Sequence, residues 1–376
     1  MRTRVAACLL ALLAGLSGCS MERRVDTVSP RTVLVYMVAS NLDYAMTRNI
    51  EEMIEAASEG GLNGGNLIVF YSGSQSEAEL FEIRRGTGGA AVRRHIRDYT
   101  DMSAVSHETM RQVIREVVDM YPARSYGMIL SSHATSWLPA DYGNAPRQRS
   151  FGEENGRRME IYELAAALPD GLFEFLIFDA CSMASIECVY ELRNKADYIM
   201  ASPSEILSYG IPYKTVLPCL FTATADLEGA ARNFYFFYRD YQYPYGNISV
   251  VRTEALEELA QITREIATAS RMGAGYSEPL PNWQLLSFWK SSPTKLFDFG
   301  HVICSQTTSY VQRSRFKASI ERAVMTCYST EEIYCSDNAA PVPVFHFSGL
   351  SFYPLQTQLS ELNEWYRRLE WYRAVY

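Results

Sequence analysis

The hydrophobic positions fall into short continuous runs separated by helical stripes, the pattern of a parallel sheet covered on both faces. The β-branched stretch 32–39 predicts a first strand and 66–72 a second. Between them Ile50–Ala57 reads as a helix, followed by punctuation at Gly60, Gly61, Gly64 and Gly65. Residues 79–84 alternate and predict a hairpin strand near a sheet edge. Over 103–121, Met110, Val113, Val117 and Met120 make a helical stripe, which Pro122 closes. Tyr126-Gly-Met-Ile-Leu-Ser-Ser-His133 is a further apolar run that ends in a lone polar side chain. Residues 134–158 hold Trp137, Pro139, Gly143, Pro146, Gly152 and Gly156 without any period and read as a loop.

A helix over 159–168 leads into the strand Phe173-Glu-Phe-Leu-Ile-Phe-Asp179, whose apolar run from Phe175 to Phe178 suits a central position. A helix over 184–194 and a strand over 198–202 follow. An aromatic-rich helix (226–238), a strand (247–252) and an amphipathic helix (254–270) come next. Beyond Gly273 the texture is less regular, with helices expected at 294–304 and 313–327, strands around 343–353 and a closing helix over 359–376. The fold class is α/β. Residues 32–245 form an αβα core with a mostly parallel central sheet, and 246–376 a C-terminal α+β subdomain packed on it.

The first residues stand apart from this pattern. Arg2 and Arg4 precede the apolar run Val5–Leu16, too short to span a bilayer stably, and then Leu16-Ser-Gly-Cys19. Residues 1–18 read as a signal peptide of the bacterial lipoprotein type, with Cys19 the lipidated first residue of the mature chain and 19–31 a tether. Ser20 rather than Asp after Cys19 favours the outer membrane or cell surface in a Gram-negative host. The predicted location is therefore the cell envelope, with the membrane reached through the lipid anchor.

At 376 residues and a net charge of −8 the chain is of ordinary globular composition, and its acidity argues against nucleic acid as a partner. Six cysteines lie beyond Cys8 and Cys19, with no zinc-knuckle or CxxC spacing among them. No metal site is predicted. Cys327 and Cys335 are near enough in sequence to pair, although separate thiols are the expected state.

Chemistry gathers at two strand ends. In open α/β sheets ligands bind at the carboxyl ends of strands. Cys181 follows the strand ending at Asp179, and His133 follows the run 126–131. If these strands are neighbours, a thiol and a base emerge at one sheet edge. A helix N-terminus after Cys181 would favour its thiolate. Arg147 and Arg149, in the loop after His133, are candidate self-cleavage positions.

Several blocks resemble the clostripain family of cysteine peptidases, in the broad clan of caspases, gingipains and legumain. They are Tyr36-Met-Val-Ala with Asn41-Leu42-Asp43, Leu130-Ser-Ser-His133, Phe178-Asp-Ala-Cys181-Ser-Met183, Tyr190-Glu-Leu-Arg193, Ala201-Ser-Pro-Ser-Glu205 with Gly210-Ile-Pro-Tyr213, and Gly349-Leu-Ser-Phe-Tyr-Pro354. The resemblance implies a caspase-like αβα sandwich and an endopeptidase working through a Cys181–His133 dyad and a thioester. The backbone N–H groups of Cys181 and Ala134 would hold the oxyanion. Alanine stands at 134 where the clan has glycine, and its N–H serves only if its φ is negative. The family cuts after Arg or Lys, which implies protein or peptide substrates with basic residues. Asp179 and Glu205 are the acidic candidates to bind them. The chemistry requires no cofactor. Some relatives use calcium, but no D-x-D-x-D-G run marks a calcium loop here.

Two rivals differ in kind. A haloacid-dehalogenase-like phosphotransferase would also place Asp179 at a strand end, but it wants a second carboxylate where this chain has Cys181. A catalytically silent envelope lipoprotein would use the same fold to bind peptides or surface partners.

Overall fold

The computed structural model describes residues 28–74, 76–86, 88–139, 151–278, 282–289, 294–338 and 340–376. Cys19, Arg147 and Arg149 lie outside the described residues. In chain order the first half builds β1 (Thr32–Val38), α1 (Asp43–Ser58), β2 (Asn66–Ser72), the hairpin β3 (Ala78–Arg85) and β4 (Ala91–Tyr99), α2 (His107–Met120), β5 (Tyr126–Ser131), the small hairpin β6 (Phe151–Glu154) and β7 (Arg157–Met159), α3 (Ile161–Ala167) and β8 (Phe173–Asp179). There follow α4 (Ile186–Glu191), β9 (Ala196–Ala201), α5 (Tyr213–Leu220), α6 (Leu227–Asp240), β10 (Asn247–Arg252), α7 (Leu256–Ser270), β11 (Leu285–Trp289) and β12 (Thr294–Asp298). The chain ends with α8 (Phe299–Ser305), α9 (Tyr310–Ala323), β13 (Val324–Ser329), the two-residue strands β14 (Glu332–Ile333), β15 (Val342–Pro343) and β16 (Ser351–Phe352), α10 (Ser360–Tyr366) and α11 (Glu370–Val375).

Nine strands form one sheet in the order β13-β10-β9-β8-β5-β1-β2-β3-β4. The inner five, from β9 to β2, run parallel. Antiparallel pairings extend the sheet at both edges. β1 is buried at every position because both of its faces are covered. On one face Tyr36, Phe70, Leu130 and Phe178 pack beneath α2, α3, α4 and α7. On the other, Val35, Met37, Ile129 and Ile177 pack beneath α1, α5 and α6. Tyr36 stacks on Phe70 with ring centroids 4.3 Å apart, and its hydroxyl donates to the Ala104 carbonyl at 2.8 Å, so the ring is buried without leaving its polar end unpaired.

The amino end of the sheet is locked by Arg31, which is 4% exposed. Its guanidinium donates to Ser125 Oγ, to the carbonyls of Leu220 and Thr222, and to Glu174 Oε2 at 2.6 Å. Ser125 Oγ donates to the same carboxylate oxygen, and the Ala225 amide to the other. These bonds hold the Glu174 carboxyl below its usual range despite the burial that opposes them.

The structure departs from the sequence pattern in several places: the end of the stretch read as a loop, 134–158, forms most of the hairpin β6–β7, and α5 and β11 lie where no element was expected. β10 and β13 belong to the central sheet, so residue 245 does not bound it. β4 is an edge strand exposed along most of its length and rich in arginine, so it carries no hydrophobic signal. Residues 294–298 are a strand, and the helix α8 starts only at Phe299, capped by Asp298. The helix expected over 313–327 ends at Ala323, where the β-branched Val324 opens β13. The closing helix is two short ones, α10 and α11. The described cysteines are all free thiols, Cys327 and Cys335 included. Among the described residues no helix is long and apolar enough to cross a membrane.

Candidate active site

β5 and β8 are neighbours, and their register pairs Ser131 with Asp179. His133 and Cys181 each lie two residues past that pair, so both leave the sheet at the same edge and the same level. After Cys181 the chain turns sharply through Ser182, whose φ is +59°. The turn is held from two directions. The Ser182 and Ala184 amides donate to the Ser204 and Ser202 carbonyls beyond β9. The Ser351 amide donates to the Ala184 carbonyl, and Ser182 Oγ meets Ser287 Oγ at 2.9 Å, which ties the turn to the small sheet β11-β12-β16.

The thiol itself is covered by the segment after β9. The Ile206 amide donates to Cys181 Sγ at 3.4 Å, and the sulfur faces the Ile206 carbonyl at 3.6 Å. Burial pushes the thiol up to about 12, with the Glu205 carboxylate adding to the shift. This corrects the expectation that a helix start would favour the thiolate. α4 begins only at Ile186, its cap is Ser185, and burial beside a carboxylate outweighs a dipole five residues away.

His133 is half-buried, and its Nε2 lies 2.6 Å from Asn41 Oδ1. An amide oxygen only accepts, so Nε2 carries the ring proton and Nδ1 is the basic nitrogen. Asn41 sits in the turn after β1, beside Ser40, whose φ is +50°. In the sequence Asn41 belongs to one of the clostripain-like blocks and carries no role of its own. The signal was that an amide follows the strand adjacent to the histidine's. Ala134 is 5% exposed and is not among the described residues with positive φ, so its N–H keeps the required geometry. Among the described residues, the amides of Ala134 and Cys181 have no hydrogen-bond acceptor.

The two acidic candidates sit differently. Asp179 is 7% exposed. Its Oδ2 accepts from Ser131 Oγ and Tyr213 Oη, both at 3.0 Å, and its Oδ1 from the Ile211 amide at 2.9 Å. Burial still raises its carboxyl to about 6. Gly210 makes this cradle fit: its φ is +76°, and a Cβ there would lie 2.7 Å from Asp179 Oδ1. Glu205 instead accepts from the amide and hydroxyl of Ser336, at 2.8 and 3.2 Å, and so joins the segment covering Cys181 to the C-terminal region. Its carboxyl is also raised, by burial.

Comparison with known proteins agrees with this architecture. The sequence model of the clostripain family matches residues 35–371. The X-ray structure of an inactive zymogen C11 protease from Parabacteroides distasonis superposes with a TM-score of 0.84 at 34% identity, covering 94% of this chain and 99% of that one. A secreted C11 cysteine protease from Bacteroides thetaiotaomicron superposes with a TM-score of 0.81 at 27% identity, covering 93% and 99%. A structure of such a protease from the same organism, in complex with an irreversible peptide inhibitor, gives 0.80 at 29% identity, covering 92% and 98%. No curated protein matches the sequence. A match over nearly the whole chain, on a caspase-like sheet with cysteine and histidine at one edge, makes this chain a member of the clostripain family of cysteine proteases.

Proposed function

We propose that the chain is an endopeptidase that cuts after Arg or Lys through Cys181 and His133. The observation that carries this reading is the β5–β8 register, which sets the two side chains at one level of one sheet edge. In the reaction the thiolate attacks the peptide carbonyl and forms the C–S bond. The oxyanion is held by the Cys181 and Ala134 amides, and the imidazolium passes its Nδ1 proton to the departing amine. Water then cleaves the thioester, giving up its proton to the same imidazole. Asn41 keeps the ring in the tautomer this requires.

The basic preference is assigned to Asp179, whose Oδ1 accepts a single hydrogen bond and keeps a lone pair for a cation. Glu205 becomes the second acidic contact once Ser336 releases it. The intact chain is a latent form in this account. Its thiol is covered by Ile206 and held protonated, as befits a relative of a protein whose structure is that of an inactive zymogen. Cleavage at Arg147 or Arg149 by a second copy of the enzyme is the activating step. Cys19 anchors the chain to the cell envelope, where substrates are exposed proteins or peptides.

The test is hydrolysis of matched fluorogenic peptides ending in Arg, Lys, Asp or Leu by the chain from residue 21 and by its Cys181→Ala form. Cleavage after Arg or Lys that vanishes in the variant is expected. Cleavage after Leu or Asp would remove the acidic-pocket role of Asp179 and Glu205. No cleavage under any condition would leave the silent peptide-binding lipoprotein as the better reading.

A further inference from the structure

Beside His133, on the side away from Cys181, the carboxyl ends of β1 and β2 open into a cavity of about 880 Å³. Its walls continue directly from two residues bonded to His133. Ser40 lines it and precedes Asn41, which bonds the ring. Glu153 lines it and follows Gly152, whose amide donates to the His133 carbonyl at 2.9 Å. Among the described residues its charged lining is four carboxylates, Glu77, Asp101, Glu153 and Glu154, against the guanidinium of Arg157.

The direction of the chemistry assigns this cavity. The imidazole protonates the departing amine, so the residues after the cut lie on the imidazole's side of the sulfur. Sheet order places β8 with Cys181, then β5 with His133, then β1 and β2 with the cavity. A substrate crossing this edge therefore puts its acyl part over β8 and β9 and its leaving part over β1 and β2. We propose that the cavity is the subsite for the leaving side of the substrate and that it selects basic side chains there. The inference rests on the peptidase reading and adds a second specificity to it.

The carboxylates are arranged for a long cation rather than a bound metal. Among the described residues the one trio with ligand atoms within 4.8 Å of one another is Glu79, His95 and Asp98, none of which lines the cavity. Glu154 is structural: its two oxygens accept from Ser72 Oγ and the Ala104 amide. Glu77 and Asp101 stand exposed at the rim, where a Lys or Arg of an extended peptide meets them first. Asp101 has a φ of +56°, a conformation that Asn also tolerates, so its charge can be removed without straining the turn.

The experiment uses internally quenched peptides with a common Arg before the cut and Lys-Lys, Ala-Ala or Glu-Glu after it, and counts only cleavage at the Arg bond, identified by mass spectrometry. A coumarin amide of the same acyl part has no residues after the cut and serves as control. The proteolytically activated enzyme is expected to prefer Lys-Lys over Glu-Glu by about tenfold in kcat/KM, a preference that shrinks at high salt. The Glu77→Gln/Asp101→Asn double variant is expected to bring that ratio below about threefold and to leave the coumarin rate within about twofold. Equal rates for the three peptides, or a preference that survives the double variant, would overturn the subsite while coumarin turnover upheld the peptidase. Loss of coumarin turnover in the wild type would overturn both.

Discussion

Glu174 and Asp179 lie five residues apart on the same strand, β8, and their carboxyls are displaced in opposite directions. At the amino end Glu174 meets a guanidinium, a hydroxyl and an amide, and is held below its usual range. At the carboxyl end Asp179 meets two hydroxyls and an amide but no cation, and burial wins. At one end of the sheet the carboxylate is matched by the guanidinium of Arg31. The other end keeps an acid without its counter-ion, beside a cysteine whose thiol burial holds neutral. An uncompensated buried carboxyl is a costly arrangement, and such groups cluster where function requires them. In this account the missing cation is the substrate's.

Substitutions at the two ends should therefore separate activity from stability. Cys181→Ala is expected to lower peptide hydrolysis at least about 10⁴-fold with little change in melting temperature, because the hydrogen bonds given up are the long ones between Sγ and the Ile206 backbone. A large loss of stability would instead make Cys181 a structural residue. Arg31→Ala should do the reverse. It strands the Glu174 carboxylate and three other acceptors, so urea unfolding should register a loss of about 3–5 kcal/mol. The folded fraction should keep its kcat.

The pH dependence of stability sharpens the contrast. Asp179 is raised from 3.8 to about 6, so folding favours its protonated form. Its contribution is fully present below its unfolded pKa and is lost as pH rises through about 6. Asp179→Asn should flatten that decline by roughly 3 kcal/mol between pH 4 and pH 7. Glu174 has the opposite sign: its contribution is present above its unfolded pKa and is lost as pH falls through the depressed one. Identical pH profiles for Asp179→Asn and wild type would contradict the buried, cation-free description of this carboxyl.

The smallest effect concerns Asn41. Asn41→Ala should lower kcat/KM by about 10–100-fold through a misdirected ring, with little change in KM. Asn41→Asp restores an acceptor and adds a charge, so activity should return while the acidic limb of the pH–rate profile moves upward. A profile left in place by both variants would reduce Asn41 to a turn residue.

The parallel centre of the fold was legible because both faces of its strands are covered. Continuous apolar runs such as Phe175–Phe178 and Val33–Val38 admit few other readings. The edges were not. β4 displays Arg93, Arg94, His95 and Arg97, and its partner strand rather than its own pattern makes it a strand. β13 is half-buried at every position and lies more than seventy residues from the strand it pairs with, so no local signal joins it to the sheet. At the site, the sharing of one edge by His133 and Cys181 could be read from two strand-end positions, since parallel neighbours place their termini together. The ionisation of Cys181 could not. It is set by Ile206 and Glu205, which approach from the next strand and bring burial and negative charge that the sequence around the cysteine does not contain. The cavity beside His133 was equally hidden, being assembled from four separate stretches between Val38 and Arg157.

The most direct test of the account is covalent labelling of the chain by an acyloxymethyl ketone bearing Arg, read by mass spectrometry on two forms. One is the wild type after self-processing. The other is Arg147→Ala/Arg149→Ala, in which both proposed cleavage positions are removed. Label on Cys181 in the processed chain alone is the predicted result, with the unprocessed variant unlabelled because Ile206 covers a neutral thiol. Equal labelling of Cys181 in both forms, or label on any other cysteine, would contradict the account.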